Sequence, residues 1–364
     1  MFDLEIYEIV FIAFFAIAFV FGIFAQQKQF CFSGSLKDYI QIKSTKRAAS
    51  VVMAMIVAII STQIFASIFD IDLSSSSYFK SNINYFAIII GGALFGAGMM
   101  IADGCSSRSI VKFSQGDANA LVTLLFIAIF AFASTKGILF GVVNGFINNQ
   151  FMIDISSNLS NFTLNIYFVL AILVLLLAYF VKKVKRVFSL YDGVIIGFLV
   201  GLSWFISGYI GAESIEKEIQ VQALSYVYPS AKTLEFFTFF EITELSIGVC
   251  IVLGAIFGAY FSTFFNKKYS FGCTSKMNFN KLKYNMIGGS MMGIGGIMAI
   301  GCTVGQGLSG VSTLVFSSFL AIISIGVSGF ITGKILYKKD KLPMCFLFEW
   351  EDDDKKQKPL DYEI

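Results

Sequence analysis

Residues Gly91–Cys105 read GGALFGAGMMIADGC, and residues Gly288–Cys302 read GGSMMGIGGIMAIGC. The two stretches lie 197 positions apart and share seven of fifteen residues: five glycines, one alanine and the final cysteine. A duplicated apolar helix that breaks at glycine, in corresponding positions of two halves, indicates the binding site of a membrane transporter. Close packing of two membrane helices through small residues is the alternative. That alternative explains the glycines but not the shared Gly-Cys ending.

The composition is that of a membrane protein. The chain has 364 residues, of which 56% are hydrophobic and 14% are charged, whereas soluble domains carry about 25% charged residues. The net charge of +3 is too small to indicate a nucleic-acid partner, and histidine is absent. Without histidine the chain lacks the commonest general base and metal ligand. We therefore expect an all-α polytopic membrane protein that is not an enzyme and holds no metal or cofactor.

Apolar runs long enough to cross a bilayer recur along the chain, since a span needs about 20 mostly apolar residues. The first run follows Asp3, Glu5 and Glu8 and not a basic segment, which favours a retained span over a signal peptide. The sequence predicts nine spans, at about residues 7–25, 48–69, 85–102, 118–146, 163–181, 191–210, 242–265, 285–300 and 311–335.

Basic residues fall in alternate loops. They cluster in residues 26–47, 182–186 and 266–283 and at the start of the tail, whereas the loops between are acidic or neutral. Lysine and arginine are retained in the cytoplasm. Nine spans then place the N-terminus outside and the C-terminus in the cytoplasm of a cell inner membrane. The two glycine-rich helices run antiparallel in this topology, which defines an inverted-topology repeat.

The repeat divides the chain into four parts: residues 1–147 as the N-terminal half, 148–190 as a linking span and basic loop, 191–340 as the C-terminal half, and 341–364 as a charged cytoplasmic tail. The two polar Gly-Cys segments, residues 103–116 and 301–310, are predicted to re-enter the membrane, because non-helical backbone survives there only when protein buries it or it lines a cavity. Residues 26–47 and 211–241 fit a re-entrant segment and a surface loop equally well.

The Gly-Cys breaks combine groups that suit a small anion. A thiol is a soft, weak hydrogen-bond donor, and glycine lets the backbone approach a solute closely. The hydroxyl and amide side chains beside the breaks add donors, and one arginine adds positive charge. Such a site suits an oxyanion that contains sulfur or selenium. The predicted substrate path comprises Cys31, Cys105, Cys302, Gly104, Gly301, Ser106, Arg108, Thr303 and Gln306.

The other cysteines and the charges within spans have simpler explanations. The nearest two of the six cysteines are 23 residues apart, so the chain has no C-x-x-C motif. Cys250 is predicted to pack inside a span and Cys345 to have no role, whereas Cys273 remains open. Lys136 and Glu244 are expected near the membrane interface, with Lys136 kept as a candidate because charge within a membrane is functional by default.

Four pieces of the chain resemble the YeeE/YedE family of sulfur-compound membrane transporters. They are Phe30-Cys31, Asp103-Gly104-Cys105, residues 201–208 (GLSWFISG) and residues 301–307 (GCTVGQG). The resemblance implies nine spans with short re-entrant helices and the uptake of thiosulfate. It also implies that the three cysteines matching Cys31, Cys105 and Cys302 pass the anion along by S–H hydrogen bonds. Family members often work with a separate small sulfur-carrier protein, which is a possible partner here.

Three other functions remain open. The transported compound can be a selenium species. A membrane thiol–disulfide redox protein would instead cycle a Cys105–Cys302 disulfide, although the cysteines lack a paired motif. A structural membrane scaffold predicts that every cysteine can be replaced without loss.

Overall fold

The computed structural model describes residues 5–79, 84–102, 104–148, 163–182, 190–214, 216–239, 245–266, 279–339 and 341–342. Within these ranges the chain is helical, with one isolated bridge between Thr163 and Val315. The helices are α1 Ile6–Gln27, α2 Phe32–Ile42, α3 Lys46–Ile68, α4 Tyr85–Ile101, α5 Ser106–Ser114, α6 Ala118–Thr135, α7 Phe140–Asn148, α8 Ile166–Val181, α9 Tyr191–Phe205, α10 Val227–Phe239, α11 Ile247–Asn266, α12 Phe279–Met298 and α13 Phe316–Lys338.

The protein is an all-α polytopic membrane protein. Seven helical segments of the described chain are long and apolar enough to cross a bilayer. They contain α1, α3, α4, α6, α9, α11 and α13. The α8 helix is apolar but shorter, and α12 begins with polar and charged residues such as Lys281 and Lys283. These two helices occupy the places of the fifth and eighth predicted spans, and the total of nine spans stays a prediction.

The predicted fourth span, residues 118–146, is not one helix. The α6 helix ends at Thr135, Lys136 takes a non-helical conformation, and α7 begins only at Phe140. Glycine at position 137 and a charged residue before it favour a helix end over a continued apolar helix. The long apolar run of the sequence therefore contains one membrane-length helix and one short helix.

The segments 26–47 and 211–241 each contain a short helix with buried residues, and neither is a surface loop throughout. In α2, residues Ser33, Lys37 and Asp38 are buried. Residues 223–227, which lead into α10, are buried except for the half-buried Ser225. Sequence polarity does not distinguish these segments from surface loops, because their polar groups are buried against other helices and not against lipid.

The two glycine-rich helices, α4 and α12, pack directly against each other. A Cβ added to Gly98 would lie 2.7 Å from the Gly288 carbonyl oxygen, and one added to Gly91 would lie 2.8 Å from that of Gly295. The residues equivalent to Gly91 and Gly98 in the second copy are Gly288 and Gly295. Each copy therefore touches the other through the same two positions, in antiparallel order. This is the contact pattern that a local two-fold axis produces.

The other helix contacts come in matching pairs. Each contact becomes its match when every helix is replaced by its equivalent from the other half of the chain. The α1 helix packs on α11 as α9 packs on α3, and α4 packs on α13 as α12 packs on α6. The α2 helix packs on α3 and α13 as α10 packs on α11 and α6. In these pairs, α1, α2, α3, α4 and α6 correspond in order to α9, α10, α11, α12 and α13. The helical turn Gly305–Gly310 corresponds to α5. These helix contacts place the Gly-Cys breaks in the middle of the bundle.

Candidate functional site: a substrate path at the helix breaks

Cys31, Cys105 and Cys302 each lie at the start of a short helical segment. Cys31 and Cys105 have extended backbone conformations and directly precede α2 and α5. The Cys31 sulfur accepts a hydrogen bond from the Gly34 backbone N–H at 3.3 Å, and the Cys302 sulfur accepts one from Gly305 at 3.3 Å. A thiol that accepts from a backbone N–H still has its own proton to donate. This geometry leaves both S–H groups able to bind an anion.

The three breaks meet in the interior of the bundle. The exposed fractions of Cys31, Cys105 and Cys302 are 3%, 1% and 0%. The Cys31 and Cys105 thiols are neighbours that interact electrostatically, and Cys31 lines one small cavity together with Ser107 and Thr303. Serine hydroxyls accompany two of the sulfurs, with Ser33 at 3.0 Å from Cys31 and Ser107 at 3.3 Å from Cys105. Residues more than 270 positions apart therefore form one site.

A small cavity lies where the breaks meet. Its volume is about 10 Å³, close to the minimum that one water molecule needs. Any oxyanion is larger than water, so its passage requires side chains to move. The residues around the cavity come from four separate segments: Phe30, Cys31, Phe32, Val51, Ser107, Thr303, Val304 and Leu308.

The remaining predicted path residues lie beside these breaks. The Ser106 hydroxyl is fully buried and makes no hydrogen bond with any described residue. The Gln306 side-chain amide donates to the Ala299 carbonyl at 2.6 Å, which holds the end of α12 against the Cys302 segment. A Cβ added to Gly104 would lie 3.2 Å from Arg108 Cγ, and one added to Gly301 would lie 3.1 Å from Gln306 Cγ. Both glycines therefore permit a close approach that a larger residue would obstruct.

Arg108 is buried, with an exposed fraction of 7%, and is not a surface charge. It acts electrostatically on the Cys31 thiol and on the Asp38 carboxylate. Asp38 Oδ2 lies 3.2 Å from Arg47 Nε, and the Arg47 guanidinium donates to Gln29 at 2.8 Å. With Lys37 also buried, three cations and one carboxylate lie together beside Cys31. This excess of buried positive charge favours an anion at the Cys31 end of the site.

The other candidates lie away from the three thiols or outside the described residues. Cys250 is buried within α11, as a packing cysteine would be. Lys136 lies beyond the end of α6, where its ammonium group bonds the Glu235 carboxylate at 2.6 Å. Cys273, Cys345 and Glu244 lie outside the described residues.

Residues 27–331 match the model of a protein family described as sulphur transport. The chain belongs to the sulphur transport family. This membership confirms the resemblance to YeeE/YedE transporters that the helix-break motifs indicate.

Two members of the sulphur transport family resemble the chain along most of its length. A thiosulfate transporter, TsuA, of Escherichia coli K12 is 20% identical, and the match covers 83% of this chain and 88% of that protein. A thiosulfate transporter, TsuA, of Spirochaeta thermophila is 24% identical, and the match covers 89% of this chain and 98% of that protein. Although both identities are low, each match covers most of this chain.

The structure of this sulphur transport family member places three aromatic residues near Cys302 that the sequence analysis did not select. Tyr78 donates a hydrogen bond from its hydroxyl to the Gly305 carbonyl at 2.8 Å. Trp204, from the GLSWFISG motif, packs on Tyr78 at 6.1 Å between ring centroids and donates to Ser312 at 3.0 Å. Tyr226 is fully buried beside the Cys302 segment. Tyrosine and tryptophan are common in membrane proteins, so composition and spacing give no signal for them.

Proposed function

We propose that this protein takes up a small sulfur oxyanion, with thiosulfate as the leading substrate, and passes it along Cys302, Cys105 and Cys31 by S–H hydrogen bonds. The observation that carries the proposal is the convergence of three buried thiols from three helix breaks. An anion in a dry interior loses its water, and its hydration must be replaced by donors. The thiols, the serine hydroxyls beside them and Arg108 supply such donors.

The names of the relatives support the choice of thiosulfate. Both are thiosulfate transporters and align with nearly the whole membrane core of this chain. Thiosulfate carries a soft terminal sulfur together with oxygens, and thiols match soft atoms better than hydroxyls do. A selenium compound with an exposed selenium atom shares this softness, and a selenium compound is the alternative substrate.

Growth of a sulfur-starved host tests this function directly. We expect a strain that lacks its own sulfur-anion uptake to grow on thiosulfate as sole sulfur source only when this gene is expressed. Uptake of radiolabelled thiosulfate, with competition by selenite and sulfate, then ranks the substrates. Growth and uptake that do not depend on the gene would refute thiosulfate transport, and stronger inhibition by selenite than by unlabelled thiosulfate would favour the selenium alternative.

We propose the membrane arrangement that the basic loops predict. The two halves, residues 1–147 and 191–340, form an inverted repeat in the inner membrane, with the N-terminus outside, the C-terminus in the cytoplasm and residues 148–190 as the link. The paired helix contacts support this division. A separate small sulfur-carrier protein that receives the anion on the cytoplasmic side fits the basic cluster beside Cys31.

The contact between Cys31 and Cys105 supports a second candidate, a thiol–disulfide redox protein. In that function the pair would lose two thiol protons and two electrons to a separate acceptor and form a disulfide. The sequence pointed to Cys105 and Cys302 for this role, and the electrostatic interaction between Cys31 and Cys105 supports that pair as a second choice. Thiol trapping in membranes separates the functions, because a redox protein must accumulate a Cys31–Cys105 disulfide during turnover and a transporter must not.

A further inference from the structure

Tyr226 occupies, in the second half of the protein, the position that Cys31 occupies in the first half. Cys31 directly precedes α2, and Tyr226 directly precedes α10. The two helices make equivalent contacts, α2 with α3 and α13 and α10 with α11 and α6. A serine follows four positions after each residue and a lysine six positions after: Ser35 and Lys37 in one half, Ser230 and Lys232 in the other.

The surroundings of Tyr226 extend this equivalence to the site. Cys31 lies beside Cys105, and Cys302 is the counterpart of Cys105. Ser225, the neighbour of Tyr226, lies close to Gly305: a Cβ added to Gly305 would lie 2.7 Å from the Ser225 hydroxyl oxygen. The Gly305 N–H in turn donates to the Cys302 sulfur. The Ser309 hydroxyl donates to the Leu224 carbonyl at 2.7 Å. The segment that carries Tyr226 is thereby held against the Cys302 break.

The Tyr226 hydroxyl is buried without a hydrogen-bond partner among the described residues. The exposed fraction of the side chain is 0%, and its ring packs on Phe21 at 5.2 Å between centroids. A buried hydroxyl that lacks a partner destabilises a fold and needs an explanation. Burial raises the pKa of Tyr226 well above its usual value. The hydroxyl therefore stays protonated and remains a neutral donor.

We propose that the Tyr226 hydroxyl binds the transported anion next to Cys302, as the Cys31 thiol binds it next to Cys105. The inference rests on the proposed anion transport and adds a fourth donor to its path, in the order Tyr226, Cys302, Cys105 and Cys31. A phenol is a stronger donor than a thiol and carries no charge, so it can replace part of the hydration shell without trapping the anion.

The test replaces the tyrosine by phenylalanine, which keeps the ring against Phe21 and removes only the hydroxyl. We expect Tyr226→Phe to lower thiosulfate uptake by about 10- to 100-fold at equal membrane abundance, as expected for the loss of a hydrogen bond to a charged group. Tyr228→Phe is the matched control, because Tyr228 lies two residues further on and is 47% exposed. Its uptake should equal that of the unmodified protein.

Thermal unfolding distinguishes substrate binding from a structural role. Removal of an unpartnered buried hydroxyl should leave the Tm unchanged or raise it, whereas removal of a structural hydrogen bond should lower it. We therefore expect Tyr226→Phe to lose uptake while keeping its Tm. Unchanged uptake, or a loss of uptake accompanied by an equal loss of stability, would overturn the inference.

A panel of anions separates the test of Tyr226 from the test of thiosulfate as the substrate. The Tm of detergent-solubilised protein is measured with thiosulfate, sulfate, selenite and chloride. A Tm increase with one of these anions that Tyr226→Phe abolishes supports the inference, even if thiosulfate is not that anion and the proposed substrate fails. An equal increase in both proteins, or no increase with any anion in the unmodified protein, would overturn the inference.

Discussion

At the scale of single residues, the site depends on where each sulfur and each charge is buried. Cys31, Cys105 and Cys302 are buried side chains at helix starts, and two of their sulfurs are held by backbone N–H groups. Cys250 is also buried, with an exposed fraction of 8%, but lies within a regular helix. Burial alone therefore does not identify a path cysteine, and the backbone break beside it does.

Replacement of the path cysteines should stop transport. We expect Cys105→Ala and Cys302→Ala each to nearly abolish thiosulfate uptake and Cys31→Ala to weaken it. The loss of one hydrogen-bond donor to a buried anion costs about 1–3 kcal/mol. At 1.4 kcal/mol per decade, this is roughly a tenfold to hundredfold drop in uptake. Cys250→Ala is the control for a buried cysteine outside the path. Radiolabelled uptake at equal protein abundance measures the effect, and normal uptake by a Cys105→Ala, Cys302→Ala double variant would return both residues to helix packing.

Arg108 should act on the anion at every salt concentration. A surface arginine would lose its influence at high salt, whereas a buried one is screened much less, and Arg108 is only 7% exposed. We expect Arg108→Gln to reduce the initial rate of uptake at both low and high ionic strength. Lys334→Gln, at an exposed cation of α13, is the control and should have no effect. A deficit confined to low salt would show that Arg108 acts only as a long-range attractor.

At the scale of helices, glycine determines how closely the two copies of the repeat approach. The positions Gly91, Gly98, Gly288 and Gly295 bring the backbones of α4 and α12 together. Without a hydrophobic force between helices in lipid, such close packing is a main source of helix association. Helix packing and the Gly-Cys break are therefore joint consequences of one repeated stretch, and not alternatives.

A methyl group at Gly98 should destabilise this helix pair. The new Cβ would lie 2.7 Å from the Gly288 carbonyl oxygen, which belongs to the backbone and can move away only with α12. We expect Gly98→Ala to cost about 1–3 kcal/mol, as overpacking does, and to lower the Tm in detergent. Gly326→Ala is the control, since its nearest atom is a Phe32 ring carbon at 3.7 Å. An equal Tm for the two variants would contradict the close contact.

An ion-pair cluster joins α6 to α10, and its effect on stability should depend on pH. Glu235 bonds Lys136 at 2.6 Å and Lys232 at 3.0 Å. Burial raises the pKa of Glu235, but the two lysines outweigh it and the net pKa is lowered. A lowered carboxyl pKa stabilises the folded protein above the unfolded pKa of about 4.3, and the effect is lost as the pH falls through the folded pKa.

Glu235→Gln measures that contribution. We expect it to lower the stability by up to about 1 kcal/mol at pH 7, the size of a partly exposed ion pair, and the difference from the unmodified protein to shrink below about pH 4. Glu218→Gln, at an exposed glutamate, should change nothing at either pH. Tm differences that are constant with pH would exclude an ionised Glu235 as their cause.

At the scale of the whole molecule, matching helix contacts place equivalent segments around the three cysteines. These contacts place Cys31 near Cys105 and hold the segment that carries Tyr226 against the Cys302 break. The halves differ in charge, because buried cations accompany Cys31 whereas neutral tyrosines accompany Cys302. In the proposed transport, an anion that moves from the Cys302 side to the Cys31 side moves toward lower electrostatic energy.

Single cysteines placed in loops should report the orientation of the halves. We expect a membrane-impermeant thiol reagent to label Glu216→Cys from outside intact cells and to label Lys43→Cys and Lys339→Cys only after the membrane is opened. The native path cysteines are buried and should react little. Labelling of Lys43→Cys and Glu216→Cys from the same face would refute the inverted repeat.

Much of the fold and most of the site can be predicted from the sequence, because these properties depend on local chemistry. Hydrophobic length places most of the spans, and the repeated GG…GC pattern identifies Cys105, Cys302 and the polar residues beside them. Hydrophobic length does not predict a short helix break, such as the one at Lys136 that divides a single apolar run into α6 and α7.

What only the tertiary structure decides is which distant groups meet. Cys31 lies beside Cys105, Arg108 is buried and not at the surface, and parts of the polar segments before α3 and α11 are buried. None of these contacts follows from spacing, because they depend on how the two halves pack. Tyr226 is the clearest case: an isolated tyrosine in the sequence becomes the counterpart of Cys31 only once the helices around it are paired.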